Sequence, residues 1–94
     1  MENAKPMDLS IIIVNYNTCE LLRACLHSVY ASEGSFGYEV IIVDNHSSDD
    51  SVAMVQQEYP QALVICCDVN CGYACANNLG LRAARGQHLL LLNP

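Results

Sequence analysis

The run Tyr38-Glu39-Val40-Ile41-Ile42-Val43-Asp44-Asn45-His46-Ser47-Ser48-Asp49-Asp50 decides the fold. Its first part, Tyr38 to Val43, is mostly apolar and β-branched, and reads as a strand covered on both faces. It then ends in an acid and opens into a polar loop. A strand that finishes on Asp44 puts a hydrogen-bond acceptor at the carboxyl edge of a sheet, where open α/β folds bind their ligands.

The same grammar extends in both directions. Upstream, Leu9 to Val14 is another β-branched run, and Asn17 with Glu20 predicts an N-cap and box partner for a helix carrying Leu22, Cys25, Leu26 and Val29 at helical spacing. That helix is expected to stop near Ser32, before the turn-prone Gly34-Ser35-Phe36-Gly37. Downstream, Ser47-Ser48 is expected to cap a second helix with Asp49 and Asp50 in its first turn, an inner stripe of Val52, Val55 and Tyr59, and Pro60 as its stop. Ala62 to Cys66 predicts a third strand. Gly72 to Ala84 predicts a third helix with Ala76, Leu79 and Ala83 facing inward, Arg85 near its end and Gly86 as C-cap. His88 to Leu92 predicts a fourth strand. Strands alternating with helices imply parallel β-α-β units with right-handed crossovers. The expected fold is a Rossmann-like three-layer α/β domain, its four mainly parallel strands in the order 3-2-1-4 with helices on both faces. The loops after strands 1, 2 and 3 then line a crevice beside the switch point between strands 1 and 4.

Composition narrows the function. The 94 residues make one domain, with residues 1–8 expected as a flexible tail. A hydrophobic share of 52% against 15% charged excludes a disordered segment. The apolar runs Ile11 to Val14 and Leu89 to Leu92 are too short to cross a bilayer, and the polar start lacks a secretory h-region, so a cytoplasmic protein is expected. A net charge of -6, with Lys5, Arg23, Arg82 and Arg85 as the whole basic complement, argues against nucleic acid. Cys66, Cys67, Cys71 and Cys75 lack the paired spacing of zinc modules. With Cys19 and Cys25 they are expected as free, largely buried thiols.

Three polar clusters follow three strands on one edge: Asn15-Tyr16-Asn17, Asp44 to Asp50, and Asn70-Cys71-Gly72-Tyr73. Any one of them alone is as well explained by capping and turn formation. Their convergence favours a ligand site, in which Asp44 accepts from a base or ribose, Tyr16 stacks or hydrogen-bonds, and Gly72 permits close backbone approach. A dinucleotide-binding domain would need G-x-G-x-x-G after the first strand, where this chain has Asn15-Tyr16-Asn17-Thr18. A phospho-acceptor receiver would need a lysine late in the chain, and Lys5 is the sole lysine.

Four segments, Ser10 to Asn17, Val43 to Asp49, Asn70 to Gly80 and Leu89 to Pro94, together resemble the N-terminal, nucleotide-binding part of a family 2 glycosyltransferase of the GT-A fold. The likeness runs over nearly the whole chain, in order. It implies that Asp44 binds the uracil or thymine base, that Val14, Asn15, Tyr16 and Asn45 contribute around base and ribose, that Asn70 and Gly72 lie against the nucleoside, and that the helix beginning there carries the pair Asn77 and Asn78, of which Asn78 also binds the nucleotide. The Asn15-Tyr16-Asn17 and Asn93-Pro94 variants, with the Asn77-Asn78 pair, are similar to the rhamnosyltransferase-like branch, which implies a dTDP-sugar donor beside the UDP-sugar alternative. His46 stands where a glycine is usual and is expected to face solvent.

The resemblance also implies transfer of a sugar to a saccharide or lipid-linked acceptor hydroxyl by an enzyme at the inner face of the membrane, with Mg2+ or Mn2+ held by an acidic motif following the fourth strand. These residues stop before that motif. They are therefore expected to hold no catalytic residue, to bind no metal tightly and to be inactive alone. The rival expectation is a non-catalytic nucleotide-binding or dimerisation domain, self-associating through apolar surface around strand 4.

Overall fold

The computed structural model describes residues 7–32 and 37–94. The elements run β1 (Met7–Asn15), α1 (Cys19–Ala31), β2 (Tyr38–Asp44), α2 (Ser51–Glu58), β3 (Leu63–Cys66), α3 (Tyr73–Ala83) and β4 (Gly86–Leu92). The sheet has the expected order β3-β2-β1-β4, and every pairing is parallel.

Period-two alternation sorts the core into two layers. Ile11, Ile13, Val40 and Ile42 point to the side covered by Leu22 and Leu26 of α1 and by Met54 and Val55 of α2. Ile12, Ile41 and Val43 point the other way, onto Ala76 of α3. That second contact is close because α3 carries Gly80 over the strands; a Cβ there would meet Ile12 Cγ2 at 2.6 Å and Val43 Cγ2 at 3.3 Å. The central strands are buried through Ser10–Ile13 and Val40–Asp44, whereas β4, at the sheet edge, leaves Leu89, Leu90 and Leu91 exposed.

Several local expectations are corrected. Met7 and Asp8 belong to β1 rather than to a tail, and residues 1–6 lie outside the described residues, as do residues 33–36 of the expected turn. The capping box at Asn17 and Glu20 does not form. Thr18 occupies the N-cap position without a side-chain cap, and Glu20 pairs instead with Arg23 one turn along. Asp50, not the Ser47-Ser48 pair, precedes α2. Met54 rather than Val52 fills the inner face of that helix. Gly86 opens β4 instead of capping α3, because its backbone runs so close to β1 that a Cβ would lie 2.5 Å from the Ser10 amide nitrogen. At Gly86 a tertiary contact overrides the local signal.

Candidate nucleotide site

At the carboxyl edge of the sheet the ends of all four strands meet around one open cleft of about 300 Å³. Val14, Tyr16 and Thr18 enter it from β1, Asn45 from β2, Asn70 and Tyr73 from the β3–α3 turn, and Asn93 and Pro94 from the end of β4. Cavities of about 310 and 600 Å³ lie elsewhere, between α1 and β4 and at the amino edge of the sheet. Neither gathers the strand-end loops, so convergence rather than size marks the site.

Behind the cleft, on the α1–α2 face of the sheet, lies a buried polar network. Asn15 and Asp44 are register partners on β1 and β2, exposed 0% and 3%, and Asn15 Nδ2 donates to Asp44 Oδ1 at 3.0 Å. Ser47 donates to the same carboxylate twice, from its amide at 2.8 Å and its hydroxyl at 2.7 Å. Thr18 Oγ1 donates to Asn15 Oδ1 at 2.6 Å, which ties the entry to α1 into the network. A buried carboxylate so provided with donors holds its loop in place.

Asp44, the residue expected at the base, is not among the residues that line this cleft. Strand alternation is the cause. Asp44 falls on the face shared with Asn15 and the α1–α2 layer, and Asn45, one residue on, falls on the α3 face where the cleft lies. Asn45 clamps the cleft wall. Its Oδ1 accepts from the Cys71 amide at 2.9 Å, and its Nδ2 donates to the Gly72 carbonyl at 3.1 Å. Gly72 has φ of 88°, a left-handed conformation that favours glycine, and its amide donates to Asn70 Oδ1 at 2.9 Å.

Of the expected residues, the structure therefore brings Val14, Tyr16, Asn45 and Asn70 to the cleft itself, with Asn15, Asp44 and Gly72 behind them as support. Asn78 is exposed on α3 and does not line the cleft, while its neighbour Asn77 is buried. Thr18, Tyr73, Asn93 and Pro94 are additional lining residues. The requirement that parallel strands end on one edge was the signal for Asn93. The half-exposed rings of Tyr16 and Tyr73 supply the aromatic surface, and Tyr73 OH donates to Asn93 Oδ1 at 3.3 Å.

The loops after β1 and β2 also cap each other. Asn17, at φ of 52°, accepts from the Ser48 amide at 2.7 Å, and Asp49 Oδ2 accepts from the Cys19 amide at the start of α1 at 3.1 Å. Burial pushes the Asp49 carboxyl up, but hydrogen bonds from Ser51 and the Cys19 amide outweigh it and leave its pKa lowered. His46, at φ of 71°, faces solvent as expected.

Cys71 and Cys75 form a disulfide, which corrects the expectation of free thiols for that pair. The turn at Gly72 brings their Cα atoms to 5.7 Å, within ordinary bridging range. Cys19, Cys25, Cys66 and Cys67 are free. Among the described residues no group of three or more His, Cys, Asp or Glu is placed to hold a metal, and the cleft lining contains no carboxylate or imidazole. These residues do not fit a divalent cation.

The family profile described as Glycosyl transferase family 2 matches residues 10–94. The chain belongs to that family. It is 32% identical over 90 residues to the succinoglycan biosynthesis protein ExoO of Rhizobium meliloti, covering 95% of this chain and 26% of that one. It is 34% identical over 92 residues to a poly(ribitol-phosphate) beta-glucosyltransferase of Bacillus spizizenii, covering 93% of this chain and 14% of that one. The chain thus spans about a quarter or less of the length of these relatives. Among solved structures, S. aureus TarS 1-349 in complex with UDP superposes with a TM-score of 0.82 at 25% identity, covering 93% of this chain and 27% of that one. The mannosyltransferase PcManGT of Pyrobaculum calidifontis, in complex with GDP-Man and Mn2+, gives 0.80 at 26% identity, covering 90% and 26%. The fold of this family 2 glycosyltransferase domain is the GT-A fold.

Proposed function

We propose that this domain is the nucleoside-binding part of an enzyme that transfers a hexosyl group from a UDP- or dTDP-sugar to an acceptor hydroxyl. One observation carries the reading: four strand ends converge on a cleft at the β1/β4 switch point, rimmed by two half-exposed tyrosines, with a buried amide-carboxylate network bracing the loops behind it. At about 300 Å³ the cleft is at the small end of the range for ligand sites, about 300 to 1,000 Å³, and suits a base and ribose better than a whole nucleotide sugar. In this reading Tyr16 stacks on the pyrimidine, Val14 and Asn70 flank the nucleoside, and Asn45, placed by Asp44 and Asn15, sets the distance between the walls.

The dTDP arm rests on the likeness of Asn15-Tyr16-Asn17 and Asn77-Asn78 to the rhamnosyltransferase-like branch. The acceptor, a saccharide or a lipid-linked one, and the residues that act on it lie outside these residues, as do ligands for the Mg2+ or Mn2+ of the intact enzyme. We therefore expect the 94 residues to bind nucleotide without transferring sugar. No helix among the described residues is long and apolar enough to cross a membrane. We place the intact enzyme in the cytoplasm, at the inner membrane face if its acceptor is lipid-linked.

Titration with UDP, dTDP and GDP, each with and without Mn2+, tests the reading. Weak saturable binding of UDP or dTDP, little changed by the metal, is expected. Absence of saturable binding for all three sinks it. A second reading, self-association as a non-catalytic domain, has its own observation in the edge strand β4, where Leu89, Leu90 and Leu91 are 52%, 41% and 47% exposed. Sedimentation equilibrium separates the two: a monomer that binds UDP supports the first, and a dimer indifferent to nucleotide supports the second.

A further inference from the structure

The wall of the cleft contains a bridge that nucleoside recognition by itself does not call for. Cys71 and Cys75, four residues apart, join across the Gly72 turn that leads into α3. Between and beside them stand Asn70 and Tyr73, the two lining residues this turn contributes. Gly72 holds the N-cap position with no side-chain cap, in a backbone conformation that a glycine leaves as easily as it enters. Several attachments keep the turn in place. Asn45 grips the Cys71 amide and the Gly72 carbonyl from β2, the Gly72 amide donates to Asn70 Oδ1, the Ala76 amide donates to the Gly72 carbonyl, and the disulfide ties the turn covalently to the first turn of α3.

A bridge over so short a loop constrains the unfolded chain less than one that joins distant segments, so its effect is concentrated on the local turn. It is also reachable: Cys75 is exposed and Cys71 half-buried. Of the four free thiols, burial pushes Cys19, Cys25 and Cys67 above the ordinary thiol range, while Cys66 is exposed.

We infer that the Cys71–Cys75 disulfide is a thiol-responsive catch on the cleft wall, closed in the form that binds nucleotide and opened by low-molecular-weight thiols; this rests on the nucleotide reading of the cleft. In opening, an external thiolate attacks the exposed Sγ of Cys75, the S–S bond breaks, and its electron pair leaves on Cys71 Sγ. A second external thiolate then attacks the outer sulfur of the mixed disulfide and releases Cys75 as thiolate. The two protons given up by the external thiols end on Cys71 and Cys75, which are reduced, while the external pair is oxidised to its disulfide. With the bridge open, the turn keeps its hydrogen bonds but loses its covalent tie, and the added cost of ordering Asn70 and Tyr73 opposes binding. Linkage makes the coupling reciprocal: if closing the bridge tightens nucleotide binding, bound nucleotide stabilises the bridge by the same factor.

The test compares the oxidised chain, the chain reduced with dithiothreitol, and C71S/C75S, using UDP as probe. Reduction is expected to weaken UDP binding about fivefold. The far-ultraviolet dichroism should stay unchanged, and C71S/C75S should match the reduced form and ignore the reductant. Saturating UDP should shift the bridge's equilibrium with glutathione by the same factor of about five. Equal UDP affinity in both redox states, or a fully oxidised sample in which Cys71 and Cys75 still titrate as thiols, overturns the catch and leaves the nucleotide reading standing. Global unfolding on reduction makes the bridge a structural staple and likewise overturns the catch alone. Failure of UDP to bind in either state overturns both.

Discussion

The two ends of the β1–β2 pair solve the same problem with opposite results. At the amino edge Ser10 faces Glu39, and at the carboxyl edge Asn15 faces Asp44; both are register partners, and both place a carboxylate of β2 beside a buried polar side chain of β1. Ser10 Oγ donates to Glu39 Oε2 at 2.6 Å and accepts from the Gly86 amide at 2.8 Å, while the Arg85 amide donates to Glu39 at 2.7 Å. The amino-edge group thus knots β1, β2 and β4 together beside a cavity that Glu39 and Arg85 help line but where the loops after the strands do not gather. The carboxyl-edge group knots β1 and β2 in the same way, but its loops continue into a cleft. What distinguishes a clasp from a site is the polarity of the parallel sheet: helix starts and polar loops collect only at the carboxyl edge.

That contrast can be attacked by mutation. Asp44→Ala strands Asn15 Nδ2, the Ser47 amide and its hydroxyl in a buried place, and we expect a loss of about 3 kcal/mol in urea unfolding, with UDP affinity falling because the walls move. Asp44→Ala with unchanged stability would make the carboxyl-edge network dispensable and remove the support assigned to it. Glu39→Ala removes a partly exposed clasp and is expected to cost about 1.5 kcal/mol, with UDP affinity retained in the folded protein. A large drop in affinity there would erase the distinction between the two ends. Tyr16→Ala should do the reverse. It leaves the unfolding midpoint in place and weakens UDP by about tenfold, on the order of 1.4 kcal/mol of lost stacking.

The smallest effect concerns acid. Burial pushes the Glu39 carboxyl up, but the Ser10 hydroxyl, the Arg85 amide and the Arg85 guanidinium together hold it below its ordinary value of 4.5. The unfolded chain therefore binds the proton first as pH falls. The clasp's contribution is full above about pH 4.5 and drains away as pH drops through the lower folded value. Glu39→Gln should flatten the fall in stability with pH below that point without abolishing it, since the Asp49 carboxyl is lowered as well and contributes in the same direction. An acid limb identical to the parent's would show that the clasp carries no pH-linked stability.

The sheet was readable because its signals are local and redundant. Strands Met7–Asn15 and Tyr38–Asp44 contain the β-branched runs Ile11 to Val14 and Val40 to Val43, α-helical spacing recurs between them, and right-handed crossovers leave few ways to order four parallel strands. The caps were not readable, because a polar residue near a helix start has several possible partners. Asn17 serves the loop after β2 and Asp49 serves the start of α1, each about thirty residues from its own neighbourhood in sequence.

By itself the sequence determined the order of the strands, the edge on which the polar loops gather, and the membership of residues 10–94 in a glycosyltransferase family. Only the tertiary structure decided which of two adjacent residues looks into the cleft. Asp44 and Asn45 are both polar and both at a strand end, but alternation sends one into the α1–α2 layer and the other toward α3. It likewise decided that Cys71 and Cys75 meet, because pairing depends on the turn at Gly72 rather than on cysteine spacing alone. A one-dimensional pattern states what a residue can do; its neighbours across the sheet determine whether that capacity is spent on the fold or left for a ligand.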